Sequence, residues 1–147
     1  MNMIQKAKEQ VQELTKQAYA AAVKENLLPD GVSIAPSVEI PKDVSNGDYT
    51  TTFCLAAAKA MKMNPRQVAS VLMQHMTLED SYFTSVELAG PGFMNFRLGD
   101  KWYGDTVAAI EAAGGDYGCS DMLKGRKIMV EFVSANPTGP MHMGNAR

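Results

Sequence analysis

The chain has 147 residues, of which 46% are hydrophobic and 20% are charged. This length fits one ordinary domain with a piece of another, and the apolar content is sufficient for a packed core, which argues against disorder. The formal net charge of −2 excludes a generally basic nucleic-acid-binding protein, although it leaves room for a local contact that reads shape.

Targeting and membrane signals are absent from the sequence. No apolar run approaches the roughly 20 residues that a transmembrane helix needs. Residues 1–12 are polar and mixed in charge, unlike a secretory signal or a basic transit peptide. Cys54 and Cys119 lie far apart and fit neither a metal-ligand spacing nor a disulfide framework. We therefore expect reduced thiols, a cytoplasmic location, no membrane contact and no tightly bound metal.

The first 30 residues carry the pattern of an amphipathic helix. Apolar residues recur at alternating steps of three and four, and they are Ile4, Ala7, Val11, Leu14, Ala18 and Ala21. This alanine-rich stripe predicts close packing against a flat partner, and the Pro-Asp-Gly sequence at 29–31 predicts the end of the helix. A short strand at Val38–Ile40 and an Asn-Gly-Asp turn at 46–48 are predicted to follow.

Two more helices are predicted between residues 52 and 75. Thr52–Lys62 is rich in alanine, which indicates burial on most of its surface. Asn64 is a candidate cap for the next helix, Pro65 suits its first position, and Gln67 can complete a capping box. His75 extends the apolar stripe of that helix, so we interpret it as a partly packed boundary residue rather than a metal ligand.

From Tyr82 the period of the pattern changes to two, which predicts an antiparallel hairpin. One strand runs from Tyr82 to Leu88, a Gly-Pro-Gly turn follows at 90–92, and the second strand is Phe93–Leu98. Alternation divides the second strand into two faces, one with Phe93, Asn95 and Arg97 and the other with Met94, Phe96 and Leu98. Together these elements predict an α+β domain with helices packed on an antiparallel sheet.

The pattern changes again after residue 100. Asp100 is a candidate cap for a fourth helix that ends at the glycines 114 and 115, so we place the first domain at residues 1–115. Lys127–Val133 is apolar except for Glu131, which is typical of a strand covered on both faces in a parallel sheet. We interpret residues 116–147 as a linker and the truncated start of a second domain, and expect the chain to be part of a longer protein.

The residues after that strand form a loop and the start of a helix, where unpaired N–H groups favour anions. His142 and Asn145 are three residues apart and can project from the same side of the first turn, and Gly144 allows a nucleotide to approach closely. Glu131 would be a costly buried anion unless a cation pairs with it. Residue types alone leave a plain connection with a surface histidine equally possible.

The string from Val130 to Arg147 closely resembles the opening of the active site of arginyl-tRNA synthetases, a class I family. Residues 47–49 and 90–96 resemble landmarks of the N-terminal additional domain of that family. The resemblance implies a tRNA-recognition domain followed by the first strand and helix start of a Rossmann-like α/β catalytic domain. It also implies an arginine–tRNA ligase, which activates L-arginine with ATP and Mg²⁺ and esterifies it to tRNA(Arg).

The resemblance also implies roles for single residues. His142, Gly144 and Asn145 match the first signature motif, which binds the ATP phosphates, and we take His142 and Asn145 as the catalytic pair. The residues that match arginine-binding positions are Glu131, Ser134 and Asn136, with the Glu131 carboxylate facing the guanidinium. The candidate tRNA-binding residues are Phe93 and Asn95, which match positions used by the family for the D-loop, and Arg97, which shares their face.

Two positions depart from the family pattern. Asn145 stands where the signature has a second histidine, so it can donate a hydrogen bond but cannot carry a proton's charge. Gly139 stands where some members carry a lysine, and we therefore expect a second signature loop further downstream. We expect a monomer that is inactive as a fragment. The alternatives are a stand-alone tRNA- or RNA-binding module and a structural domain whose 11 methionines fill its core.

Overall fold

The first structural unit, Met1–Gly114, combines helices with an antiparallel sheet. A computed structural model of the chain describes residues 2–131 and 140. The helices are α1 (Met3–Lys24), α2 (Phe53–Met61), α3 (Pro65–Gln74) and α4 (Asp100–Ala113). The strands are β1 (Val38–Glu39), β2 (Tyr49–Thr51), β3 (Phe83–Ala89) and β4 (Phe93–Leu98), and short 3₁₀ turns lie at Val44–Asn46 and Gly114–Asp116.

The four strands are ordered β1-β2-β4-β3, and every neighbouring pair is antiparallel. The short strand β2 therefore separates β1 from the hairpin formed by β3 and β4. The register places Thr50 of β2 opposite Glu39 of β1 and also opposite Asn95 of β4. Asn95 in turn lies opposite Glu87 of β3, so these four residues form one row across the sheet.

The core lies between the helices and one face of the sheet. Met94 and Phe96 of β4 are completely buried on that face. The Phe83 ring makes edge contacts with Tyr49 and Phe96, at centroid distances of 5.9 and 5.4 Å. Helices α1, α2 and α3 each contact a strand. The predicted α+β class, with helices packed on an antiparallel sheet, is confirmed.

Helix α1 follows the predicted pattern except at its ends. Asn2 caps it, because the side-chain oxygen accepts from the N–H groups of Ile4 and Gln5. The middle of the predicted stripe is buried, whereas Ile4 is 47% exposed and Ala22 is buried in place of Ala21. The buried stripe follows a period closer to 3.6 than to the assumed 3.5, so both ends shift by one residue. Asn26, with φ of 59°, ends the helix before the predicted Pro-Asp-Gly.

Three local features of the sheet and its connections differ from the predictions. Strand β2 was not predicted, because three residues are too short to show a period of two. A bulge between Phe83 and Ser85 leaves Thr84 exposed instead of on the same face as Val86. Gly99 rather than Asp100 occupies the N-cap of α4, and Asp100 lies in the first turn, where its charge still suits the helix dipole.

The second unit, Gly115–Arg147, is described for residues 115–131 and 140 only. The predicted strand is wrong for its described part. Lys127–Glu131 forms no strand, and Met129 is 93% exposed. A strand needs a neighbour to pair its backbone groups, and residues 115–131 include no other strand that could pair with this segment. The predicted helix start at residues 141–147 lies outside the described residues.

His75 occupies the C-cap of α3 as the predicted boundary residue. Its Nδ1 lies 2.8 Å from the Val71 carbonyl oxygen, and its Nε2 lies 3.1 Å from a carboxylate oxygen of Glu25. The carbonyl of Val71, and secondarily Glu25, raise the pKa of His75 above its ordinary value, since both accept from the protonated ring.

These contacts predict that His75 stabilises the fold in acid. A raised folded-state pKa gives stability that is complete below the unfolded value of about 6.5 and is lost as pH rises through the folded value. The native chain should therefore have a higher urea midpoint than His75→Gln at about pH 5.5, where the ring is protonated. The difference between the two midpoints should be smaller at about pH 8.5, where the ring is neutral. An NMR titration that places the His75 pKa at or below its ordinary value would contradict the assignment.

Candidate nucleic-acid interface

The sheet face opposite the core carries the residues predicted to bind RNA. Along β4, the buried side chains of Met94 and Phe96 alternate with Phe93, Asn95 and Arg97. A strand sends successive side chains to opposite faces, so the latter three share the face that the helices leave uncovered. The period of two in the sequence had predicted this grouping.

A shallow depression of about 300 Å³ lies on this face. In the part of the chain that the structure describes, seven residues line it: Pro41, Asn46, Thr50, Ala89, Gly90, Phe93 and Asn95. They come from the loop before β2, from β2 itself and from the hairpin of β3 and β4. None of the seven carries a charge, so the lining suits a neutral, planar group with hydrogen-bonding edges better than it suits a phosphate.

Phe93 is half-buried in the wall of this depression and belongs neither to the core nor to the apolar side chains packed against it. A Cβ atom on Gly90 would lie 3.5 Å from Cδ2 of the Phe93 ring, so the hairpin turn supports one side of that ring. The turn keeps Gly90 at φ of +51°, a conformation that glycine adopts without strain. The ring is thus held at the depression and does not belong to the core cluster of the described residues.

Asn95 supplies the hydrogen-bonding groups at the centre of the depression. The residue is only 7% exposed, and among the described residues no hydrogen bond is made by its carboxamide. A carboxamide offers two N–H donors and an oxygen acceptor, which can pair with the edge of a nucleobase. The carboxamide atoms are not among the described buried atoms that lack a partner, so they remain accessible to a ligand.

Two arginines are held near the depression by backbone carbonyl groups. Arg97 is exposed, and its Nη2–H group donates to the carbonyl oxygen of Ser45 at 2.7 Å, next to Asn46 in the lining. Arg66 donates through Nη1 to the carbonyl oxygen of Gly90. Each guanidinium keeps further donors for a phosphate. The sequence assigned no binding role to Arg66, Asn46 or Thr50, although the predicted turn at 46–48 and the landmark at 47–49 lie at or beside the last two.

The residues that form this face match a known family domain. The family model described as the arginyl tRNA synthetase N terminal domain matches residues 3–98, which contain all four strands. The chain belongs to the arginyl-tRNA synthetase N-terminal domain family. The open face, the depression and Arg97 all lie within the matched residues of this family domain.

Curated relatives extend the similarity over nearly the whole chain. The arginine–tRNA ligases of Acetivibrio thermocellus and Caldanaerobacter subterraneus subsp. tengcongensis are 43% and 44% identical over 146 residues. These residues are 99% of this chain but only 26% of each relative, so the chain spans about a quarter of their length. The arginyl-tRNA synthetase of Plasmodium falciparum matches 68% of the chain and 17% of its own, with a TM-score of 0.54 at 10% identity, which shows the fold alone.

Most of the residues that the sequence predicted to bind ATP and arginine lie outside the described part of the chain. Ser134, Asn136, His142, Gly144 and Asn145 lie outside the described residues. Glu131 is described, and it is exposed, whereas the sequence predicted a buried carboxylate near the end of a strand. No strand is formed at Lys127–Glu131, so the burial that the sequence predicted for this carboxylate is not seen. The roles of these six residues stay predictions.

The described residues of this family member also lack two other kinds of feature. Within residues 2–131 and 140, no three His, Cys, Asp or Glu side chains are grouped as a metal site would require. None of the helices in that part of the chain is long and apolar enough to cross a membrane.

Proposed function

We propose that the chain is the N-terminal part of an arginine–tRNA ligase, and that its open sheet face binds the elbow of tRNA(Arg). The observation that carries the second proposal is the depression in which Phe93 and Asn95 lie together on a face without helices. The proposed full-length enzyme acts in the cytoplasm as a monomer. It joins arginine to tRNA(Arg) and consumes ATP, which enters with Mg²⁺ as a substrate.

The chemistry of the face suits an unpaired nucleotide. Proteins recognise such bases by stacking them on an aromatic ring and by hydrogen bonding to their edges. Phe93 offers the ring, Asn95 offers the carboxamide, and Arg97 offers a cation for the adjoining phosphate. Since the chain carries a net charge of −2, we expect little sequence-independent attraction to RNA, and so the local contacts must supply the affinity.

The catalytic half of the proposal rests on the motif at residues 130–147. We propose that His142, Gly144 and Asn145 bind the ATP phosphates, with His142 and Asn145 stabilising the negative charge that develops on the α-phosphate. We propose that Glu131, Ser134 and Asn136 bind arginine. The relatives that support this half are named arginine–tRNA ligases, and they match the chain through this segment.

Replacing Phe93 with alanine tests the tRNA-binding face. If a base stacks on the ring, binding of tRNA(Arg) by the full-length protein should weaken by about 1–3 kcal/mol, as measured by filter binding at fixed salt. Tyr103→Ala removes an exposed aromatic ring from α4 and should leave the affinity unchanged. Unchanged affinity in Phe93→Ala would refute the assignment, and loss of its thermal transition would place the ring in the core.

An exchange assay separates a ligase from a stand-alone RNA-binding module. The full-length protein should exchange pyrophosphate into ATP when arginine and tRNA are both present, since the family generally needs bound tRNA for activation. Exchange with a different amino acid would exclude the proposed substrate. Tight tRNA binding without any exchange would favour the module.

A further inference from the structure

The hydroxyl of Thr50 is an unsatisfied group beside the candidate base-binding residues. Among the described residues, Thr50 Oγ1 is the only buried side-chain nitrogen or oxygen atom without a hydrogen-bond partner. A buried hydroxyl without a partner lowers the stability of the fold. The fully buried hydroxyls of Thr15 and Thr51 are both hydrogen bonded to the backbone, so the Thr50 hydroxyl is left as a group that an external partner can satisfy.

The position of Thr50 points to the source of that partner. The residue lines the depression, and the sheet register places it directly opposite Asn95. Side chains opposite each other on neighbouring antiparallel strands have Cβ atoms about 4.5–5.5 Å apart. A base that reaches the Asn95 carboxamide therefore comes within reach of the Thr50 side chain as well.

Among the described residues, the lining of the depression around Thr50 includes no charged side chain. Glu39 and Glu87 occupy the two ends of the same cross-strand row, and both are exposed outside the lining. These carboxylates disfavour a phosphate near the centre of the row, since like charges repel. The centre of the row therefore suits a neutral group better than a phosphate, and Arg97 is the cation on the same face of β4.

We infer that Thr50 is a specificity-determining residue of this site, whose hydroxyl forms a hydrogen bond with the base that stacks on Phe93. The inference rests on the proposed tRNA-binding function. The residue lines the depression although Oγ1 itself is hidden, so contact with the base requires rotation of χ1 to another staggered position. Thr50 and Asn95 then hydrogen bond to the same base from adjacent strands.

The decisive variant is Thr50→Val, which keeps the shape of the side chain and removes the hydroxyl. In the full-length protein it should bind tRNA(Arg) about three- to tenfold more weakly, the range of one net hydrogen bond. Its thermal stability should be unchanged or higher, because an unsatisfied buried group has been removed. A structural role for the hydroxyl would instead lower both. Thr50→Ser should keep the native affinity, whereas Thr50→Ala should bind as weakly as Thr50→Val. Comparing the serine and alanine variants tests the hydroxyl if the valine variant does not fold.

Abasic tRNA identifies the contact. Unpaired elbow nucleotides of tRNA(Arg) are made abasic one at a time, and the base in the depression is the one whose removal abolishes the effect of Phe93→Ala. The deficit of Thr50→Val should vanish with the same tRNA. The role of Thr50 alone is overturned if Thr50→Val still weakens binding of that abasic tRNA. It is also overturned if Thr50→Val binds intact tRNA with native affinity while Phe93→Ala binds it more weakly. Native affinity in Phe93→Ala overturns the proposed function itself.

Discussion

Replacing Gly47 with alanine should lower the free energy of unfolding by about 2–4 kcal/mol. Gly47 has φ of 88° and ψ of −168°, a region that only glycine adopts readily. A Cβ atom there would lie 2.7 Å from the carbonyl oxygen of Phe96, which is the oxygen that accepts the Asp48 N–H at 2.8 Å. The added methyl group must therefore displace the backbone that begins β2, and this disturbs the hydrogen bond that joins it to β4.

Gly104→Ala is the matched control for this substitution. Gly104 lies within α4, and an added Cβ atom would meet nothing within 4 Å. Alanine in a helix interior should raise the free energy of unfolding by about 0.5–1 kcal/mol relative to glycine. Urea unfolding followed by circular dichroism measures both variants. Equal stabilities of Gly47→Ala and the native chain would show that the loop before β2 adapts without cost.

Replacing His142 with alanine in the full-length protein should lower arginine-dependent exchange of pyrophosphate by about a hundredfold or more. That is the scale of losing one preorganised hydrogen-bond donor to a transition state that gathers negative charge. The control is His75→Ala, which removes the other of the two histidines and should leave the exchange rate unchanged. Native exchange in His142→Ala would remove this residue from the chemistry.

The sequence predicted long periodic elements well and short ones poorly. The faces of β4 followed from strict alternation, since Met94 and Phe96 are large apolar residues at every second position. Strand β2 has three residues and offers no comparable pattern. The bulge at Thr84 and the left-handed Asn26 depend on tertiary packing and on local hydrogen bonds, which a hydrophobic period does not encode.

The candidate site was only half visible in the sequence for a similar reason. Phe93, Asn95 and Arg97 lie on one strand, so their shared face could be predicted from spacing alone. Thr50 reaches the same depression through the pairing of β2 with β4, which are separated by α2, α3 and β3. The pairing of β2 with β4 depends on the order of the strands in the sheet, which spacing along the chain does not give. Similarly, Arg66 reaches Gly90 because α3 begins beside the hairpin turn.

The sheet order has a consequence for the thermodynamics of recognition. Strand β4 lies between β2 and β3, and its residues Met94–Phe96 are paired with a strand on both sides, which leaves β1 and β3 at the margins of the described sheet. The side chains that would meet a nucleotide are therefore mounted on an interior strand, where little conformational freedom is lost upon association. We therefore expect the open sheet face to keep its conformation when a nucleotide binds. Selectivity among nucleotides would then depend on how well their shape and hydrogen-bonding groups match the face, and not on a rearrangement of the protein.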